Sequence, residues 1–409
     1  MSDIFTSPRA LFLATCLPFF GFFTLFAEAI LPAFLAGSLT PPRAIMRFFD
    51  GVGEESGLRF IKALVEKWPL ALYYIVSELY SSVSIGILFW QFANHVTDVA
   101  QAKRFYPLFG QVSSLAPIVA GHLVFAVTKD RSFAESFRVL TVSLVAAGFL
   151  ICALHGYAIS KYSLPPQGDG AASGKKKKAK PGLVQSYKFL AQSRYLRNLA
   201  TCVVSYGLAI NFTEIIWKSM VRKGLPDARD YQRFMARVSS LVGASTFFVI
   251  FLGSNLVKHL GWKVGALATP TTMGILALPL YLAVFAAHLK GTQSGVRTAM
   301  IVGAVQSVLS KATKYAVFDP TTQMAYIPLD EDSKVKGKAA IDVLGSRLGK
   351  SGGSLLQQLC IVLFGSINDS APALFGMFYG VIVMWVTAVQ SLSGQFTKLS
   401  REAGLDMKN

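Results

Sequence analysis

Ten apolar runs, each long enough to cross a lipid bilayer, recur along this chain of 409 residues and limit what it can fold into. A spanning helix needs about 20 mainly apolar residues. The runs cover approximately 10–36, 69–96, 107–128, 137–160, 197–220, 236–257, 264–288, 296–317, 338–366 and 371–395. In hydrocarbon every backbone N–H and C=O must find a partner within the protein, so such segments are helices or closed barrel strands. These runs are too long for barrel strands and lack strict alternation. They predict an all-α polytopic membrane protein with about ten transmembrane helices. Composition agrees, with 15% charged residues against the roughly 25% of a soluble domain. Phe occurs 31 times and mean hydropathy is +0.47, more apolar surface than one soluble core of this length can bury.

The strongest boundary is YSLPPQGDGAASGKKKKAKPG, Tyr162 to Gly182, whose Pro, Gly, Ser and lysine run predict a flexible, solvated linker. It divides the chain into an N-terminal half of four helices over 1–161, a basic central loop over 162–195, a C-terminal half of six helices over 196–396, and a polar tail over 397–409. Lys161, Lys175 to Lys178, Lys180, Lys188, Arg194 and Arg197 put the loop on the cytoplasm-equivalent side, and both termini with it. Two-halved carriers with a long central loop usually carry six helices on each side. Four plus six therefore reads as an incomplete first half, lacking an initial pair. Met1 to Arg9 carries neither a transit peptide nor a cleavable signal pattern.

The formal charge of +18 suits an anionic lipid surface, nucleic acid or an anionic solute. No aromatic-basic or recognition-helix signature for nucleic acid is present. Cys16, Cys152, Cys202 and Cys360 lie in or beside apolar runs without CxxC spacing, as small buried residues do. His95, His122, His155, His259 and His288 are scattered without ligand spacing, so the sequence calls for no metal, cofactor or catalytic constellation.

Ionisable side chains inside spans cost about 2.5–3.5 kcal/mol each on insertion scales and are functional candidates by default. Glu78 sits well inside the second run, with no local cation, which points to a cavity role. Glu214 and Lys218 sit one turn apart on one helix face, where a local ion pair is the plain alternative. The stretch KATKYAVFDPTTQMAYIPLDEDSKVKGKAAIDVLGSRLGKSGG, Lys311 to Gly353, is dense in both charges. Asp319-Pro320 and Ile327-Pro328 predict helix breaks within it. Beyond Gly337 the apolar pattern resumes and carries Asp342, Arg347 and Lys350 into a span. Arg347 and Lys350 share a helix face, and Lys314, at the end of the preceding span, can approach the same place. Together they suit a phosphate-sized anion through charge-assisted bonds. Interfacial snorkelling is the alternative. Gly345 to Ser351 resembles a P-loop but has three residues between its glycines where that pattern needs four. Small residues at Gly349 to Ser354 and around Gly86 favour close helix packing. Tyr73, Tyr74, Trp90 and Trp217 are open to two readings, stacking on a base or packing within the bundle.

Three segments carry a family likeness: ELYSSVSIGILFWQFANHVTDVAQAKRFYPLFG (78–110), SYGLAINFTEIIWKS (205–219) and KYAVFDPTTQMAYIPLDEDSKVKGKAAIDVLGSRLGKSGG (314–353). They resemble the nucleotide (ATP/ADP) translocases of plastids and obligate intracellular bacteria. The resemblance implies a major-facilitator-like helical bundle that exchanges ATP for ADP, with or without phosphate, by alternating access. Other members carry broader nucleotide sets, some with protons. It implies transport roles for Glu78, Glu214 and Lys350; the residues themselves add Arg347 and Lys314 as partners of Lys350 on the phosphates, and Lys218 beside Glu214. It implies two further helices before the first one here, with a functional lysine in the first of them. Location follows as the plastid (chloroplast) inner envelope or a bacterial inner membrane. A proton-coupled nucleotide importer and a truncated, non-transporting paralogue stay open as alternatives.

Overall fold

The computed structural model describes residues 8–53, 58–89, 92–93, 109, 111–162, 193–329, 333, 337, 341 and 345–402. Every regular element among them is helical, as long apolar runs require when their backbone must pair internally. Seven helices among the described residues are long and apolar enough to cross a membrane: Phe12–Leu35, Gln111–Thr128, Phe133–Lys161, Arg194–Gly224, Ala228–Ile250, His259–Leu289 and Ala371–Glu402. They coincide with seven of the ten runs, and the chain is an all-helical, multi-pass integral membrane protein. Of the other three runs, 69–96 and 338–366 fall partly outside the described residues, and 296–317 is helical throughout. The central loop from 163 to 192 and the tail from 403 lie outside the described residues, as do Trp90, His95 and Asp342.

Contacts divide the chain into two compact units. The first comprises Met1–Glu54, Leu58–Phe109 and Leu123–Lys176. Its first span is α1 (Pro8–Leu25), a π-helical turn over Phe26–Ile30, and α2 (Leu31–Leu35). The short α3 (Arg43–Met46) and α4 (Arg59–Glu66) lead to α5 (Trp68–Val83), which runs on through a π turn over Ser84–Phe89. The C-terminal end of α6 (Ala116–Thr128) and all of α7 (Phe133–Tyr162) complete it. An aromatic seam holds these helices together. Tyr73 of α5 packs at 4.7 Å from Phe26 and 4.9 Å from Phe137, ring centre to ring centre, with Phe22 and Phe23 beside it. Tyr73 is therefore a packing residue. Cys16 and Cys152 are buried beside Phe12, Phe20 and Leu88, as small apolar side chains would be.

The second unit comprises Glu55–Gly57, Gly110–His122 and Lys177–Asn409. Its axis is α8 (Arg194–Gly224), which packs against each of α9 (Ala228–Lys290), α10 (Gln293–Thr313), α12 (Ser346–Phe364) and α13 (Ala371–Glu402). Side-chain caps start three of these helices: Ser193 accepts from the Leu196 N–H, Asp227 from those of Arg229 and Asp230, and Thr292 from that of Gly295. Within α9 the backbone at Gly261 takes φ 84°, a region that only glycine enters at low cost. That kink falls near the start of the span His259–Leu289, eleven residues past the end of Ala228–Ile250. Trp217, Trp385, Tyr281, Phe212 and Phe378 fill the core.

One expected break is absent. Asp319-Pro320 does not end the helix, because α10 passes through a π-helical turn over Lys314–Phe318 into α11 (Asp319–Met324). The turn restarts the hydrogen-bond register, so Pro320 falls in the first turn of α11, where its missing N–H leaves no bond unmade. The chain does turn at 325–328, ahead of and including Pro328. Gly345 to Ser351 opens α12 in place of a phosphate loop.

Candidate functional site

The stretch of α8 from Tyr206 to Lys218 gathers most of the candidate charges. At 100° per residue Tyr206, Gly207, Ile210, Asn211, Glu214 and Lys218 fall on one stripe of the helix. Three turns of helix thereby present a ring, a backbone contact, an amide and an ion pair in order.

Glu214 is the electrostatic node. Its Oε2 accepts from Lys218 Nζ at 2.9 Å, so the local pair expected from the spacing exists. Its Oε1 is 2.6 Å from Lys311 Nζ, which arrives from α10. The side chains of Glu214, Lys311 and Lys218 are 21%, 30% and 42% exposed, which leaves the ammonium groups open to a solute.

One turn beyond Lys311, Lys314 pairs with Asp319 at 2.8 Å across the π turn. Its Nζ also lies 4.2 Å from the centre of the Tyr315 ring and 5.7 Å from that of Tyr206, within cation–π reach. Tyr206 is itself stacked on Phe318 at 5.5 Å and edge-on to Trp385 at 6.1 Å.

α12 meets α8 through glycines. A Cβ at Gly349 would fall 2.7 Å from the Val204 carbonyl oxygen, and one at Gly207 would fall 2.9 Å from Gly349 Cα. Only hydrogen at these positions lets the backbones approach so closely. The Asn211 side chain donates to the Lys350 carbonyl and to that of Gly207, each at 3.0 Å. Lys350 is exposed and is anchored through Asn211 one turn from Glu214. Position 347 shares the face of position 350 on α12, and the Arg347 side chain lies outside the described residues. Glu78 belongs to the first unit, on the exposed face of α5 with Tyr74, Ile75 and Leu79.

Four lysines, 218, 311, 314 and 350, thus stand against the carboxylates of Glu214 and Asp319, leaving two positive charges in excess among these residues. Such a cluster suits a polyanion through charge-assisted bonds, and the exposed Tyr315 ring beside Lys314 suits a flat group.

A family model described as TLC ATP/ADP transporter matches residues 1–396. The chain belongs to the TLC ATP/ADP transporter family. Within it, similar proteins include the chloroplastic ADP,ATP carrier protein 2 of Arabidopsis thaliana, 38% identical across 98% of this chain and 66% of the relative. The plastidic ATP/ADP-transporter of Solanum tuberosum is 39% identical across 98% and 64%. ADP,ATP carrier protein 1 of Chlamydia trachomatis serovar D is 38% identical across 96% and 77%. The chain spans just under two thirds of the length of the two plant relatives.

Sequence reasoning passed over three residues that the fold of this TLC family member makes prominent. Lys311 is tied to Glu214, Tyr206 to Lys314, and Asn211 to Lys350. The available signals were the i,i+3 spacing of Lys311 and Lys314 and the i,i+4 spacings of Gly207 with Asn211 and Gly349 with Gly353. Trp217, a candidate for base stacking, is instead buried and donates its indole N–H to the Met300 carbonyl at 3.0 Å.

Proposed function

We propose that this chain is a membrane carrier that exchanges nucleotides, ATP for ADP with or without phosphate, by alternating access. The observation that carries this reading is the positive excess gathered along α8, with Glu214 shared between Lys218 and Lys311 and Lys350 one turn away. It supports a polyanionic solute, and the names of the relatives, ADP,ATP carrier and ATP/ADP-transporter, narrow the solute class.

In this mechanism Lys350, Arg347, Lys314 and Lys218 hold the phosphates and Glu214 supplies counter-charge between solute-bound states, with Glu78 a candidate transport residue of the first unit. Unpaired cations in a low-dielectric cavity are costly, so an internal carboxylate stabilises the protein while it has no solute. Binding exchanges internal ion pairs for pairs with phosphate, and release restores them. The nucleotide drives the rocking of the carrier to the extent that the two states differ in affinity for it.

Uptake of labelled ATP into proteoliposomes, with and without ADP inside, tests the proposal. Uptake that requires internal ADP is expected. Uptake that needs no internal ADP and collapses with an uncoupler assigns proton-coupled import instead, and silence from a folded, inserted protein contradicts carriage of ATP by this chain.

A further inference from the structure

The two oxygens of Glu214 meet lysines from two different helices, Lys218 of α8 at 2.9 Å and Lys311 of α10 at 2.6 Å. A carboxylate bridging two ammonium groups through separate oxygens presents the same pair of acceptors that a phosphate edge presents. Glu214 is thus shared between two ammonium groups brought together by two helices, while Lys314 nearby has Asp319 as its own partner. The Lys218 and Lys311 side chains are partly exposed, which gives a solute access to them. Three ionisable side chains within apolar spans are costly to insert. A purely structural role therefore accounts poorly for the trio.

We infer that Lys218 and Lys311 form a phosphate subsite, that Lys311 is a substrate-binding residue, and that Glu214 is an internal competitor for this subsite. The inference rests on the nucleotide reading above and deepens it. The Lys350 backbone carbonyl accepts from Asn211, one turn from Glu214 on α8, and in this scheme its exposed side chain takes the neighbouring phosphate. A solute with two linked phosphates then spans both positions, which makes the diphosphate the smallest unit that engages the whole cluster.

Equilibrium binding of labelled ADP to the full chain in detergent, with pyrophosphate and adenosine as competitors, tests this. Replacing Lys311→Gln weakens ADP and pyrophosphate by about tenfold or more, the loss expected of one charge-assisted bond, while Lys311→Arg largely keeps both. Glu214→Gln removes the competitor and tightens both. Neither variant changes competition by adenosine. Wild-type affinity in Lys311→Gln, unchanged or weaker affinity in Glu214→Gln, or an equal loss for adenosine and ADP overturns the inference. If Lys311→Gln does not fold, the sign of the Glu214→Gln effect still decides. Wild-type protein that binds neither ADP nor pyrophosphate would remove the nucleotide reading itself.

Discussion

The indole of Trp217 and the glycine at 303 show how little room the second unit leaves around its axis. Trp217 donates to the Met300 carbonyl, and a Cβ at Gly303 would fall inside the envelope of the indole ring at Cδ1 and Cγ. Those atoms lie at the root of a buried side chain and cannot swing aside. Gly303→Ala therefore destabilises the protein by about 1–3 kcal/mol or more through overpacking, read as a lower denaturation midpoint in detergent; an unchanged midpoint would contradict the packing described. Along the same helix and its neighbours, Lys218 and Lys311 stay partly exposed and Lys350 exposed. At this scale the sequence showed charge without showing its partner. The i,i+4 spacing gave away the bond between Glu214 and Lys218, but the bond to Lys311 depends on how α10 lies against α8, which local spacing does not encode.

Helix starts are legible in retrospect at Ser193, Asp227 and Thr292, whose side chains accept from backbone N–H groups that the first turn leaves orphaned, although the apolar runs begin later, near 197, 236 and 296, because a polar cap and first turn carry no hydropathy signal. Helix continuity was less so. Pro320 signals a break in sequence, and the π turn before it absorbs the signal; Gly261 gives no such signal and yet kinks α9. The cap at Asp227 also titrates. Hydrogen bonding from the Asp230 N–H, then from that of Arg229, with the Arg229 charge beside it, holds the Asp227 carboxyl below its usual range. Because the folded pKa is depressed, the stabilisation is present above the unfolded value of about 4 and is lost as pH falls through the folded value. Asp227→Asn caps the same N–H groups without titrating. The advantage of the wild type over Asp227→Asn in thermal midpoint should accordingly shrink on acidification below about pH 4, whereas a constant difference across that range would exclude the ionised cap.

For the whole molecule, fold class was legible because apolar runs of spanning length leave backbone pairing no solution but helices or a closed barrel. The site was half legible. Glu214, Lys218, Lys314 and Lys350 appear in one helical unit, joined by Lys311, Asn211 and Tyr206, which only the packing of α8, α10 and α12 brings forward. The close packing expected of the small residues from Gly349 is met at Gly349 itself, but its partner, Gly207 of α8, and the seating of Lys350 that follows emerged only from the fold. The central claim, exchange of ATP for ADP across this cluster, is tested most directly by release of labelled ADP from preloaded proteoliposomes on addition of external ATP, for the wild type and Lys350→Gln inserted to equal levels. External ATP should accelerate ADP release by the wild type and leave release by Lys350→Gln at the background rate; release by the wild type that ignores external ATP, or exchange by Lys350→Gln at the wild-type rate, would contradict it.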